Sequence, residues 1–136
     1  MLSPRGALLP KRIFIVDDCN LIRKSVRSQL EYHLQNIICV EATNGVDAMQ
    51  RINEVRPDIV LLDLCMPELN GLETAAAIHD VLPKLPIILY TLHKDVVSAK
   101  QVEAFGICAV VSKTDQIEVL VDVILKHVDV VRAAHA

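Results

Sequence analysis

Short, continuously apolar segments alternate with stretches of helical periodicity from about residue 11 to the end of the sequence. Strands buried on both faces of a sheet are apolar throughout, whereas strands with one exposed face alternate apolar and polar residues. The apolar segments therefore predict parallel strands covered by helices on both sides, in a doubly wound α/β domain of five strand–helix units. The predicted strands span residues 12–16, 37–40, 58–62, 86–92 and 109–111.

The first helical stretch carries an apolar stripe whose members recur at i, i+3, i+7 and i+11. Such spacing puts residues on one face of a helix, directed at the core. The inward positions are Cys19, Ile22, Val26 and Leu30. Arg23, Lys24 and Arg27 are expected on the other faces of this helix.

Turn and capping residues mark where the helices begin and end. Asn70-Gly71 predicts the start of the third helix, and Gly106 is a plausible cap at the end of the fourth. Asp115 is followed three residues later by Glu118, which is typical of a capping box before the fifth helix.

Composition and charge exclude several classes of function. The chain is 52% hydrophobic with a net charge of −3, which argues against sequence-independent binding of nucleic acid. No apolar run approaches the roughly 20 residues of a membrane helix. Residues 1–10 are too short and too broken by proline for a secretory signal, so a flexible leader is expected there. The four cysteines are widely spaced, which suits reduced thiols in a cytoplasm.

Polar residues follow the predicted strands at the points where these strands end. Asp17-Asp18 follow the first strand, Asp63 the third, Thr91 the fourth and Ser112-Lys113 the fifth. In doubly wound sheets the carboxyl ends of the strands carry the functional site. Two carboxylates about 5 Å apart repel by about 3 kcal/mol at an effective dielectric of about 20. The cluster therefore predicts a hard cation, Mg²⁺, beside a phosphoryl group that Asp63 accepts as a nucleophile.

The ordered set of motifs resembles the receiver domain of a bacterial two-component response regulator, over about residues 11–131. The match consists of the paired aspartates after the first strand, LLDLCMPELNG around the third, Thr91 and Lys113. This resemblance implies a flavodoxin-like (βα)5 fold with strand order 2-1-3-4-5. Residues 132–136 are then expected to be a tail.

The resemblance also implies a role for each residue of the site. Asp63 would be the phosphoacceptor, and Mg²⁺ would be held by Asp17, Asp18, Asp63 and the backbone carbonyl of Cys65. Thr91 would bind a phosphoryl oxygen and Lys113 would pair with the phosphoryl group.

The same resemblance implies partners and a mode of action. The phosphodonor would be a sensor histidine kinase or a histidine phosphotransfer protein, and the chain itself would be a regulatory domain rather than an enzyme. A downstream effector, or a second copy of the chain in a possible homodimer, would meet the surface of the fourth helix, fifth strand and fifth helix. Neither direct binding of nucleic acid nor a membrane association is expected.

Two departures from the family pattern bear on how the domain switches. Many receivers have an aromatic residue three positions before the lysine of the fifth strand, where this chain has Val110. The residue after that lysine is often a cis-proline, and here it is Thr114. A non-proline cis bond costs roughly 2.5–4 kcal/mol, so a trans bond is expected.

Two other functions fit part of the pattern. A phosphatase of the haloacid-dehalogenase type also uses an aspartate at a strand end, but it would require a D-x-D motif and a cap domain. A receiver-like interaction module that no longer uses phosphate is the second alternative, because Val110 and the bulky Leu92 depart from the family's usual residues.

Overall fold

The computed structural model describes residues 9–66 and 68–135, which contain seven strands and five α-helices. The strands are β1 (Lys11–Val16), β2 (Leu34–Gln35), β3 (Ile37–Ala42), β4 (Ile59–Leu62), β5 (Ile87–Thr91), β6 (Ile107–Ser112) and β7 (Val131–Arg132). The helices are α1 (Asn20–His33), α2 (Gly45–Val55), α3 (Gly71–Val81), α4 (Ala99–Ala104) and α5 (Ile117–His127), and a 3₁₀ turn lies at Lys94–Val96. The leader expected at residues 1–10 falls largely on residues 1–8, which lie outside the described residues.

Five strands form the central sheet in the order β3-β1-β4-β5-β6, and every neighbouring pair is parallel. β2 belongs to a separate two-stranded sheet, so the five main strands have the predicted order 2-1-3-4-5. The predicted doubly wound, flavodoxin-like fold is confirmed. Because all five strands run the same way, their carboxyl ends meet at one edge of the sheet.

The core lies on both faces of this sheet. Every residue of β4 and β5 is buried, as expected from their continuously apolar sequences. One apolar cluster joins the sheet to α1 and α5 through residues such as Leu30 and Leu120, which are fully buried. A second cluster joins the opposite face to α2 and α3 through Ile52 and Ile78. Burial of each such side chain contributes about 1.5–3 kcal/mol.

The predicted helix starts are confirmed at α3 and wrong at α5. Asn70 and Glu73 form a reciprocal capping box at the start of α3. The prediction of a second box between Asp115 and Glu118 is wrong, because α5 begins at Ile117 without a side-chain cap. The amide of Asp115 instead donates to the carbonyl of Ser112 at 3.1 Å, so Asp115 closes a turn rather than capping the helix. Gly106 follows the residue that caps α4 and has a φ of +70°, as a helix-ending glycine requires.

A two-stranded antiparallel sheet ties the end of the chain to the end of α1. β2 pairs with β7, with Leu34 opposite Arg132, and the amide of Ala133 donates to the carbonyl of His33 at 2.8 Å. Ordered backbone pairing therefore extends to Ala133, two residues into the segment expected to be a tail. None of the helices in residues 9–66 and 68–135 has the length and apolar character needed to cross a bilayer.

Candidate functional site

Backbone pairing at the carboxyl edge of the sheet positions the residues of the site. The amide of Asp17 donates to the carbonyl of Ala42 at 3.2 Å, and the amide of Asp63 donates to the carbonyl of Val16 at 3.0 Å. These bonds continue the strand ladders for one residue beyond β1 and β4. The two acids therefore project from the same edge, one strand apart.

Three carboxylates converge at this edge. One oxygen from each of Asp17, Asp18 and Asp63 can be chosen so that all three lie within 4.8 Å of one another. Asp17 and Asp63 are buried, whereas Asp18 is exposed. A set of carboxylate oxygens without histidine or thiolate ligands suits a hard cation that keeps part of its water shell, as Mg²⁺ does. The donor set therefore fits the predicted cation.

Lys113 completes the cluster from the end of β6. Its Nζ lies 2.6 Å from Oδ2 of Asp17 and 3.3 Å from Oδ1 of Asp63. Burial lowers the pKa of Lys113, but the hydrogen bond and charge of Asp17, together with the charge of Asp63, outweigh it and raise the pKa overall. The ammonium group is therefore held charged between the two buried acids, where a phosphoryl group would also be stabilised.

Asp63 carries a net electrostatic penalty despite its pairing with Lys113. Burial is the largest influence and raises the pKa of Asp63, while the nearby Lys113 lowers it and the charge of Asp17 raises it again. The overall pKa is raised above the ordinary value of 3.8. The charged form of Asp63 is therefore less favourable here than in a free carboxyl group, and a cation bound among the three acids would offset that cost.

The raised pKa predicts how pH affects the stability of the cation-free protein. Between the ordinary pKa and the higher folded value, the folded state binds more protons than the unfolded chain. The free energy of unfolding therefore falls as pH rises through this window, and the loss is complete above the folded-state pKa. The Asp63→Asn variant lacks this titration, so its advantage in stability over the wild type should grow as pH rises.

Urea unfolding in EDTA at about pH 4.5 and about pH 7 measures this difference. We expect the Asp63→Asn variant to be more stable than the wild type at neutral pH, by a margin that narrows in acid. A variant that is less stable than the wild type at neutral pH contradicts this reading of the buried acid.

Thr91 lies at the end of β5 and is fully buried. Its Oγ1 accepts a hydrogen bond from the amide of His93 at 3.1 Å, and its carbonyl accepts one from the amide of Lys113 at 2.9 Å. These bonds fix the hydroxyl at the same edge as the lysine. The next residue, Leu92, is 57% exposed, so its bulk lies largely in solvent.

The loop after Asp63 forms one wall of an open cleft beside the cluster. This cleft has a volume of about 420 Å³ and is lined by Asp18, Leu64, Cys65, Met66 and Asn70. Cys65 thus lines the same cleft as Asp18, and it is exposed. Pro67, which belongs to the same motif, lies outside the described residues.

Gly71 allows α3 to begin directly beside the end of β4. Its amide donates to the carbonyl of Leu64 at 2.8 Å. A Cβ at this position would lie 2.2 Å from the carbonyl oxygen of Asp63 and 2.7 Å from Cα of Leu64. Only glycine permits so close an approach, and the Asn-Gly pair in the sequence is its signal.

The expectation that Arg23 lies on a solvent-facing side of α1 is wrong. Arg23 is only 7% exposed, and its guanidinium is paired with Glu41 and with the carbonyl oxygen of Asp17. Burial of an unpaired charge is costly, but these partners offset that cost for Arg23. The signal was present, since Arg23 follows Cys19 by four residues and precedes Val26 by three, in line with the apolar stripe.

The structure also shows the two positions, Val110 and Thr114, at which the sequence departs from the usual receiver pattern. The peptide bond between Lys113 and Thr114 is trans, as expected. Val110 is half-buried and packs against the apolar cluster on the α2 and α3 side of the sheet. All four cysteines are free thiols, as the sequence predicted.

Comparison with known proteins adds a family and a set of relatives. The sequence model of the response regulator receiver domain family matches residues 13–125 of this chain. The transcriptional regulatory protein LnrK of Bacillus subtilis is 34% identical over 84 residues, which are 62% of this chain and 38% of that protein. A protein-glutamate methylesterase/protein-glutamine glutaminase of Nocardioides sp. is 34% identical over 95 residues, 70% of this chain and 26% of that protein.

A solved structure matches over most of the chain. The response regulator protein TrrA from Thermotoga maritima, in complex with Mg²⁺-BeF, has a TM-score of 0.79 and 28% identity. The match covers 87% of this chain and 99% of that one. By contrast, this chain spans well under half the length of the two curated relatives.

Proposed function

The chain belongs to the response regulator receiver domain family, and on this premise we propose that it accepts a phosphoryl group on Asp63 and passes the signal on through a changed surface. The observation that carries the proposal is the buried Asp63 beside two further acids and the ammonium of Lys113. A receiver domain is a regulatory phosphoacceptor, so we place this chain among signalling proteins rather than enzymes.

The chemistry is an exchange of one bond to phosphorus for another. A carboxylate oxygen of Asp63 attacks the phosphorus atom of a phosphohistidine, and a phosphorus–oxygen bond forms as the phosphorus–nitrogen bond breaks. The imidazole leaves with the electron pair of the broken bond, and Asp63 becomes an acyl phosphate. The domain thereby assists its own phosphorylation, and attack by water later returns the free carboxylate.

Three acids and one backbone carbonyl are proposed to hold Mg²⁺. Asp17, Asp18 and Asp63 supply carboxylate oxygens and Cys65 supplies its carbonyl, while TrrA, a relative in fold and sequence, was solved in complex with Mg²⁺-BeF. When bound, Mg²⁺ neutralises negative charge on the phosphoryl oxygens. Lys113 would contribute a second positive charge, and Thr91 would contribute a hydroxyl donor to a phosphoryl oxygen.

The output surface is proposed to be formed by α4, β6 and α5. Movement of Thr91 toward the phosphoryl group would first displace the β5–α4 connection, which contains the 3₁₀ turn at Lys94–Val96. Val110 lies on this face in place of an aromatic residue, so we infer that repacking of the connection itself transmits the change. An effector or a second copy of the chain would then bind the altered face.

The remaining assignments follow from the family. We propose that the receiver occupies residues 11–131 of a cytoplasmic protein. A sensor histidine kinase or histidine phosphotransfer protein is proposed as the donor. The activities of the longer relatives are not assigned to this chain, and no direct contact with nucleic acid or a membrane is proposed for the domain.

Comparison of a histidine-phosphorylated donor protein with p-nitrophenyl phosphate distinguishes the proposed receiver from a phosphatase. A receiver takes up at most one phosphoryl group per chain from a histidine-phosphorylated donor protein, and it does not turn over p-nitrophenyl phosphate. Repeated turnover of the ester would instead indicate an aspartate-nucleophile phosphatase. Failure of transfer from any phosphohistidine or acyl phosphate donor would favour an interaction module that works without phosphate.

A further inference from the structure

The buried arginine of α1 reaches three groups around the acidic turn. Nη1 of Arg23 lies 2.6 Å from the carbonyl oxygen of Asp17, and Nη2 lies 3.2 Å from Oδ1 of Asn20. Nε donates to Oε1 of Glu41 at 3.0 Å. A planar guanidinium with three directed bonds holds its partners in one orientation, which a lysine cannot do.

The contact with Asp17 is to the backbone and not to the carboxylate. The Asp17 side chain has other partners, since Oδ2 binds Lys113 and Oδ1 accepts from the amide of Cys19 at 2.9 Å. The carbonyl of Asp17 and the amide of Asp18 share one planar peptide unit. A bond that fixes this carbonyl therefore also fixes the direction in which the chain enters Asp18.

Asp18 is the acid most dependent on such support. It is exposed, unlike the buried Asp17 and Asp63, so its position owes less to packing. We propose that Arg23 is a positioning residue that sets the Asp17–Asp18 peptide and so places the Asp18 carboxylate toward the cation. The inference rests on the proposed function, because it assumes that Mg²⁺ binds among the three acids.

The network behind Arg23 supports a structural anchor of this kind. Burial raises the pKa of Glu41, but hydrogen bonds from Arg27 and Arg23 outweigh it and lower the pKa overall. Glu41 therefore stays ionised and holds the guanidinium in place. Its backbone carbonyl also accepts from Nη1 of Arg51 at 2.7 Å, which fixes the end of β3 as well.

Arg27 provides a matched control on the same helix. It binds the same acid, with Nη1 2.9 Å from Oε2 of Glu41, and it lies one helical turn further from Asp17. Removing either arginine deletes one positive charge and one bond to Glu41. Removing Arg23 also deletes its bonds to the Asp17 carbonyl and to Oδ1 of Asn20. Removing Arg27 instead deletes its exposed ion pair with Glu31.

Charge and positioning predict opposite signs for the effect on Mg²⁺. A positive side chain near a cation site repels the cation, so if charge alone mattered, its removal would strengthen Mg²⁺ binding. Loss of positioning weakens it, because the Asp18 carboxylate is no longer directed at the site. Groups that orient metal ligands from behind typically change metal affinity by about 10–100-fold when removed.

Isothermal titration of the full chain with MgCl₂ alone measures this effect without any phosphodonor. We expect Arg23→Met to raise the Kd for Mg²⁺ by about tenfold, and Arg27→Met to change it by less than about twofold. Amide hydrogen exchange at Asp18 should also become faster in Arg23→Met only. An unchanged or lower Kd in Arg23→Met, or an equal rise in Arg27→Met, overturns the inference.

Arg23→Lys keeps the positive charge, and its Mg²⁺ affinity tests the inference if the Arg23→Met variant does not fold. We expect this variant to lose at least about threefold in Mg²⁺ affinity, because lysine lacks the planar fork that joins the three partners. Wild-type affinity in Arg23→Lys overturns the inference while leaving the proposed function intact. A wild-type chain that binds no Mg²⁺ contradicts both.

Discussion

Replacement of Asp63 by asparagine is expected to reduce uptake of a phosphoryl group from acetyl phosphate by more than about 100-fold. The amide lacks the anionic oxygen that attacks phosphorus. Incorporation of labelled phosphate per chain in the presence of Mg²⁺ measures the effect. Because asparagine has nearly the same shape and removes a carboxylate whose pKa is raised by burial, the fold should be retained.

Asp58 offers a matched control, since it precedes the same strand at the opposite end of the sheet. Its Oδ2 accepts a hydrogen bond from the amide of Arg12 at 2.8 Å. Asp58 precedes β4, whereas Asp63 follows it, so the whole length of the strand separates the two acids. Asp58→Asn should therefore be labelled at the wild-type rate. Labelling of Asp63→Asn at a comparable rate would move the phosphoacceptor to another residue.

The second large effect concerns the cation. Asp18→Ala is expected to lower the rate of labelling at limiting Mg²⁺ by at least about tenfold, because it removes one of the three proposed acidic ligands. Asp18 is exposed, so its loss should cost little stability, and the deficit should shrink at high Mg²⁺. Titration of the initial labelling rate against MgCl₂ separates weaker binding from lost chemistry.

EDTA and a second acid complete this test. Chelation should stop labelling of the wild type, and excess MgCl₂ should restore it. Asp115 is also exposed and follows the lysine of the site by two residues, so Asp115→Ala controls for the loss of one nearby negative charge. Labelling that continues in EDTA, or an equal loss in Asp115→Ala, would contradict a cation held by the carboxylate cluster.

The fold could be predicted from sequence because its signals are local and agree with one another. Continuous apolar strands such as β4 and β5 require helices on both faces, and Asn70 with Gly71 marks the start of α3. The convergence of Asp17, Asp63 and Lys113 then follows from parallel strands that end at one edge. The site could be anticipated for the same reason, although no local pattern gives the distances within it.

Features that depend on distant partners could not be predicted in this way. The burial of Arg23 is stabilised by Glu41, which lies 18 residues away and in another element. The pair of short strands, β2 and β7, joins residues almost 100 positions apart and contains only two residues in each strand. The sequence around Asp115 satisfies the rule for a capping box. In the structure Asp115 instead closes a turn with Ser112, and α5 begins two residues later at Ile117.

The position of Asp63 at the end of an entirely buried strand also has a physical explanation. Burial makes its charge unfavourable and raises its pKa, while Lys113 offsets only part of this effect. A cation bound among the acids would offset the remaining cost, and it would also neutralise negative charge on an incoming phosphoryl group. The same burial that would be a defect in a structural residue therefore prepares this one for its function.

The most direct test is the intact mass of the wild-type chain after incubation with acetyl phosphate and Mg²⁺, followed by location of the modified peptide. We expect a gain of one phosphoryl group per chain, carried by the peptide that contains Asp63 and absent when EDTA is present. An unchanged mass, or a phosphoryl group located on any other residue, would contradict it.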